Sequence, residues 1–337
     1  MRHLSVLRQR HGLARGNELG LTKRQLRLLV ERGELRSPAR GWYALPEADP
    51  HTTRAVALGG RLACVSALRS HGCDVPGDAS VLHYAVPSHH RVRRRGPGVR
   101  HFEDVADHGG AYVQPLPDAL VRAMLCRPYL EALATLELVA RTRGPELLED
   151  VLRRVAAVRS GLAADLATDV DLASRSAVET RVRLALRAAG LHVVAGARIP
   201  GIGEVDLLVE GCVIVEIDGF AYHGDRKQYR ADRRRDRAAA RLGLVVLRFA
   251  FEDADAVAVV AEVALHVAAL RHHPHQPLRS VPPAVIHQLR EVAARGENRS
   301  SWRARKAVGV TGGRIGGVPS DGAAVPSAGP AATATTG

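Results

Sequence analysis

Aromatic residues are scarce in this chain of 337 residues, with Phe, Tyr and Trp together making up 4%. So thin a supply argues against a platform on which single-stranded bases stack, and leaves backbone contacts to a duplex as the favoured mode for any nucleic-acid partner. Cysteine is scarcer still. Cys64, Cys73, Cys126 and Cys212 form neither a Cys-x-x-Cys pair nor a disulfide framework. That usage fits a reduced, cytoplasmic setting. Long apolar runs are also missing. Residues 1–12 carry charges and no apolar signal core, so no secretory signal is expected. The apolar stretch 256–270 is broken by Glu262 and His266 and reads as a core helix too short to span a membrane. Acidic residues fall short of basic ones, 35 against 48, for a formal net charge of +13. A chain so charged accumulates on polyanions by counterion release, and double-stranded DNA is the expected partner. A GC-rich coding sequence also inflates Arg and Ala, so charge alone does not establish that partner.

Acid does concentrate in one place. Residues 201–223 read Gly-Ile-Gly-Glu-Val-Asp-Leu-Leu-Val-Glu-Gly-Cys-Val-Ile-Val-Glu-Ile-Asp-Gly-Phe-Ala-Tyr-His. Residues 207–209 and 212–215 are apolar, β-prone runs, and Glu210-Gly211 supplies the turn between them. Strands joined by so short a turn return to the same level, which predicts Asp206 close to Glu216. Side chains alternate along a strand, so Glu216 and Asp218 share a face while Ile217 points to the buried side. Carboxylates gathered in this way repel one another and take up protons unless a cation joins them. Mg²⁺, or Mn²⁺ in its place, prefers oxygen ligands and keeps several waters, so Asp206, Glu216 and a backbone carbonyl such as that of Ile217 would suffice. Such an ion activates water and offsets charge on a phosphate.

A lone Glu-x-Asp more often just ends a strand, and here its surroundings shift the balance. His223 follows, with an ordinary pKa that lets imidazole exchange protons near neutral pH. Residues 226–242 are helix-like, with Asp232 and Asp236 four apart on one face and a basic set that includes Arg226, Arg230, Arg233 and Arg235. Gly243 stops that helix and residues 244–249 read as a further buried strand. A helix over 176–189, carrying Glu179, comes before the hairpin.

In that order, several segments resemble a known family over residues 174–252. They are Ala177-Val178-Glu179 with Arg183, Glu204-Val205-Asp206, Val213-Ile214-Val215-Glu216-Ile217-Asp218-Gly219, His223, Asp232-Arg233-Arg234-Arg235-Asp236 and Leu242-Gly243-Leu244-Val245-Val246-Leu247-Arg248. Together they resemble the very-short-patch-repair-like endonucleases, in particular the domain of unknown function 559 group of the PD-(D/E)xK superfamily. The resemblance implies a three-layer α/β, restriction-endonuclease-like fold and Mg²⁺-dependent hydrolysis of DNA phosphodiesters. It implies Asp206 as the main metal ligand, Glu216 as the acid of the (D/E)xK step, and Glu179 as a helix carboxylate that holds a metal-bound water. It implies His223 as general acid or base and Asp232 as the acid that orients it. Asp218 stands where the wider superfamily has lysine, as in the 559 group. Repair enzymes of this type carry a structural zinc, but Cys212 is the lone cysteine near the motif, so no zinc is expected.

Residues 1–48 read as three short helices, near 4–11, 15–19 and 23–32 with Thr22 as an N-cap, followed by a two-stranded wing that turns at 37–40. That is the pattern of a winged helix-turn-helix. Lys23, Arg24 and Arg27 on the third helix would meet a major groove, with Arg36 and Arg40 of the wing against the backbone. Leu21-Thr22-Lys23-Arg24-Gln25-Leu26, Val30-Glu31-Arg32-Gly33-Glu34-Leu35 and Arg40-Gly41-Trp42-Tyr43 resemble the N-terminal domain of AbiEi-type antitoxins of type IV toxin-antitoxin systems. Residues 53–162 form an α+β middle region, with a helix at 62–71, strands at 82–86 and 99–102, the basic loop around 91–95, and a helical tract from 116. Residues 163–175 read as a polar linker, 176–290 as the nuclease-like domain and 294–337 as a disordered tail rich in Gly, Ala, Pro, Ser and Thr. His272-His273-Pro274-His275 lacks a completing ligand, and the Gly-Gly-Arg-Ile-Gly-Gly run at 312–317 lacks the lysine of a phosphate loop. Three functional readings stand, the first two being a DNA endonuclease and a non-catalytic DNA-binding regulator or antitoxin. A toxin acting on RNA is the third.

Overall fold

The computed structural model describes residues 2–88, 96–103, 112–218 and 226–272. His223, the basic loop at 91–95 and the expected tail at 294–337 lie outside the described residues. The architecture is mixed α/β, with three small sheets among the described residues.

The N-terminal unit contains α1 (Arg2–Gln9), β1 (Leu13–Arg15), a single 3-10 turn at Gly16–Glu18, α2 (Lys23–Glu31) and β2 (Trp42–Ala44). Thr22 caps α2 through a reciprocal box with Gln25, satisfying two backbone donors that a helix start leaves open. The expected second helix is only that 3-10 turn, because β1 holds the chain extended up to Arg15 and Gly20, at φ +64°, ends the segment. β1 pairs antiparallel with β2, and Arg36 bridges Ala44. Leu7, Leu13, Leu26 and Leu35 close this small core.

The middle region runs α3 (Pro50–Ala57), β3 (Arg61–Leu62), α4 (Cys64–Ser70), β4 (His83–Pro87), β5 (Val99–Glu103), α5 (Leu116–Cys126), α6 (Tyr129–Arg143), α7 (Pro145–Ala156) and α8 (Ser160–Asp169). β3 pairs antiparallel with β4, and β4 pairs parallel with β5. Gly144 at φ +103° and Pro145 divide α6 from α7, because glycine accepts the left-handed turn and proline then starts a helix without needing its missing N–H. Residues 163–175 correct the linker expectation. Most of that segment is α8, with Leu166 fully buried and with Asp169 and Ser174 enclosed and bonded to Tyr129 and Arg183.

The last unit is α9 (Ala177–Ala188), β6 (Val193–Ile199), β7 (Gly203–Val209), β8 (Val213–Asp218), α10 (Arg226–Arg241), β9 (Val245–Ala250) and α11 (Ala256–His272). Its sheet order is β6-β7-β8-β9, antiparallel except for the parallel β8–β9 pair. Glu210 at φ +50° and Gly211 at φ +67° turn the β7–β8 hairpin as expected. β6 went unforeseen: Ala195, Gly196 and Ala197 are small residues of low strand propensity. Val178 and Val182 of α9 and Val259 and Val263 of α11 pack on one face of the sheet, and Ala238 and Ala239 of α10 on the other. No helix among the described residues is long and apolar enough to cross a membrane.

A buried ion pair ties this unit to the helical region. Arg183 of α9 meets Glu137 of α6 with both side chains fully buried. Thr180 Oγ1 and the Asp171 N–H donate to the same carboxylate, and the Ser174 hydroxyl and Asp169 carbonyl take further Arg183 donors. Desolvating both charges is costly, and this complete set of partners is what makes the pair tolerable.

Candidate functional site

The β6–β7 pairing explains how Asp206 reaches its position. Ala195 pairs with Leu207, and Ala197 with Val205. Strict alternation would keep both pairs on one face. Instead Ala195 and Leu207 lie in the core under α9 and α11, while Ala197 and Val205 lie in the core under α10. The phase slips at Gly196, whose φ of +59° is open to glycine at little cost. Asp206 sits between the two pairs, and its Oδ2 accepts the Ile217 N–H at 2.8 Å, just beyond the last β7–β8 pair, Leu207 with Val215.

Glu216 follows Ile214 on the α10 face of β8 and is 9% exposed. Its Oε1 accepts Arg235 Nη2 at 3.0 Å. Arg235 also donates to the Glu204 carbonyl at 2.8 Å and the Ile202 carbonyl at 3.0 Å. Glu179 is buried in the first turn of α9, where its Oε2 accepts the Arg175 N–H at 2.8 Å and its own N–H is held by Ser176 Oγ.

These acids feel one another. Burial raises the Glu179, Asp206 and Glu216 carboxyls above the ordinary range, Glu216 to about 7. The charge of Asp206 pushes both Glu216 and Glu179 further up, and that of Asp218 pushes Asp206 up. The fold therefore brings Glu179, Asp206, Glu216 and Asp218 into one electrostatic neighbourhood. Asp232 lies half-buried on α10. On the same helix Asp236 takes Arg248 of β9 at 2.8 Å and Arg233 at 3.2 Å. The pairing of Asp232 with His223 falls outside the described residues.

The expected DNA contacts divide into two groups. Lys23, Arg24 and Arg27 are exposed along α2, as are Arg40 beyond it and Arg230 and Arg233 on α10. Arg36 is exposed overall but spends its guanidinium on the Leu45 and Ala48 carbonyls, at 3.3 and 3.1 Å, so it braces the loop after β2. Arg235 turns inward to Glu216. The side chain of Arg226 is outside the described set.

An all-oxygen donor set suits a hard dication. Even so, among the described residues three or more Cys, His, Asp or Glu ligand atoms come within 4.8 Å of one another only at Cys64, His83, His101 and Cys126. No three of Glu179, Asp206, Glu216 and Asp218 therefore bring their oxygens within that distance, and Arg235 stands against Glu216. The sequence reading missed the inward turn of Arg235, the slip at Gly196 and the Cys/His cluster. Its one available signal was that His83 and His101 both fall inside expected strands. No protein-family model matches the chain, and no curated protein matches it.

Proposed function

We propose that this chain is a DNA-binding endonuclease that hydrolyses phosphodiester bonds with Mg²⁺ or Mn²⁺, using a three-layer PD-(D/E)xK-like domain behind a winged helix-turn-helix. The observation that supports this reading is the influence of the Asp206 charge on both Glu179 and Glu216, three acids carried by β7, α9 and β8, beside a helix that exposes Arg230 and Arg233. Asp206 and Glu216 would hold the ion, which supplies an activated water and offsets phosphate charge when bound. Glu179 would orient a water, Asp218 adds negative charge that favours cation capture, and His223 would move a proton with Asp232 orienting it. Arg235 brings from α10 a fixed cation to the site where Asp218 replaces the superfamily's lysine. Lys23, Arg24 and Arg27 would enter the groove, with Arg40 against the backbone.

Plasmid cleavage in Mg²⁺ tests the site. Asp206→Ala and Glu216→Gln are expected to abolish cleavage while leaving duplex binding intact, and cleavage that persists in Asp206→Ala sinks the assignment. A second reading, a non-catalytic DNA-binding regulator, draws on a specific observation: Arg235 already neutralises Glu216, and the Ile217 N–H already holds Asp206. A folded wild type that binds duplex with a steep salt dependence, yet leaves DNA and RNA uncut in Mg²⁺ and Mn²⁺, would establish that reading.

A further inference from the structure

Far from the carboxylates in sequence, four side chains converge in the middle region. Cys64 opens α4, His83 opens β4, His101 is the central residue of β5 and Cys126 closes α5. β4 and β5 are parallel, with His101 opposite Ala85. His83 lies two residues before Ala85 and so on its face, which makes the two imidazoles diagonal neighbours. Their rings stand 5.6 Å apart with His83 Nδ1 at 3.4 Å from His101 Nε2. Cys126 Sγ lies 3.9 Å from the same His83 Nδ1, and the four donor atoms all fall within 4.8 Å of one another.

Those spacings are long for hydrogen bonds and close to what a tetrahedral ion imposes. Zinc bonds of about 2.0 to 2.3 Å put neighbouring ligand atoms roughly 3.3 to 3.8 Å apart. The bland alternative, four satisfied core residues, fits poorly. His83 is 1% exposed and its Nε2 has no hydrogen-bond partner among the described residues, where its polar contacts are the nitrogen and sulfur that face Nδ1.

The backbone around the cluster is also built to hold it. Cys64 has φ +53°, a left-handed conformation that costs a non-glycine residue energy. Its N–H is held by Gln114 Oε1 at 3.1 Å, Gln114 Nε2 donates to Glu103 at 2.7 Å, and Glu103 accepts Arg61 Nε at 2.6 Å. A chain of buried polar groups thus fixes the strained residue that presents the first sulfur.

We infer that Cys64, His83, His101 and Cys126 form a closed structural zinc site that clamps α4 and α5 to the β4–β5 pair. Two sulfurs and two imidazoles select a borderline-soft metal such as zinc over the hard ion expected at the acidic edge. Four protein ligands with Cys64 and His83 sealed from solvent leave no open position for a substrate, which marks the site as structural. Binding displaces the thiol protons of both cysteines to solvent.

Full-length chain, purified without an affinity histidine tag in reductant, is expected to carry one zinc per chain by elemental analysis. Metal-stripped chain titrated with Co²⁺ alone should develop the thiolate-to-cobalt charge-transfer band and the strong visible bands of a tetrahedral centre. Cys126→Ser should lose the stoichiometric zinc and that band, whereas Glu216→Gln should keep both. Should Cys126→Ser fail to fold, His101→Cys supplies the check, because it preserves four donors and should retain zinc with a stronger charge-transfer band. Folded wild type that holds no zinc and gives no cobalt band overturns the site. So does a Cys64–Cys126 disulfide in the native chain, or a cobalt spectrum unchanged in folded His101→Cys.

Discussion

The Cys/His cluster and the carboxylate cluster differ in donor chemistry and in how completely their ligand atoms converge. The first draws soft donors from two strands and two helix ends, seals Cys64 and His83 from solvent and sets all four donor atoms within 4.8 Å of one another. The second draws hard donors from one hairpin and one helix, buries Glu179 and Glu216 while leaving Asp206 half-buried, and already sets a guanidinium against Glu216. A closed set of four ligands stores an ion for stability. The proposed hydrolytic role would need the acids to take up an ion beside that guanidinium and still leave room for water and a phosphate.

The strongest way to break this contrast is to sever the connection between the two regions. Glu137→Ala leaves Arg183 charged and unpaired in the interior, and is expected to cost about 3 to 5 kcal/mol in urea unfolding. If the two regions are one cooperative unit, a single transition should move. Two separate transitions would show that the Cys/His region and the acidic edge unfold independently.

A smaller effect should come from the strand slip that delivers Asp206. Gly196→Ala forces a side chain into φ +59° and brings its Cβ to 2.8 Å from that of Ala173. The expected cost is about 1 to 3 kcal/mol, together with weaker stabilisation by Mg²⁺ and no change in zinc content. Full retention of stability would mean that the slip does not depend on the glycine.

The smallest effect is one of pH. Below about pH 4.5 Glu216 is protonated in both folded and unfolded chains; as pH rises to about 7 the unfolded chain loses the proton while the folded chain keeps it. The folded state binds more protons across that window, so stability falls as pH rises through it and the whole cost is present above about 7. Glu216→Gln is therefore expected to match wild type in acid and exceed it modestly at pH 8 in thermal melts without metal. Equal pH profiles for the two proteins would show that Glu216 carries no such strain.

Much of the C-terminal unit was legible in sequence because its signals are local. Apolar runs, a Glu-Gly turn and a helix bounded by Gly243 place β7, β8, α10 and β9 within a few residues, and a short hairpin must return Asp206 toward Glu216. β6 escaped because alanines and a glycine carry little strand signal. The supposed linker escaped because its polar residues find partners that lie far away along the chain, Glu137 among them. Arg235 reads like its neighbours on a basic helix, and only the approach of α10 to the ends of β7 and β8 turns it inward.

Sequence by itself determined the secondary elements around the acids, the capped α2 with its exposed basic residues, and the net positive charge, because each follows from residue type and short-range spacing. Tertiary structure alone decided that Cys64 and Cys126 stand with His83 and His101, that Arg183 is buried against Glu137, and that Arg235 neutralises Glu216. Those outcomes depend on which helix faces which strand, and burial against distant partners, unlike periodicity, leaves no mark on the neighbouring residues.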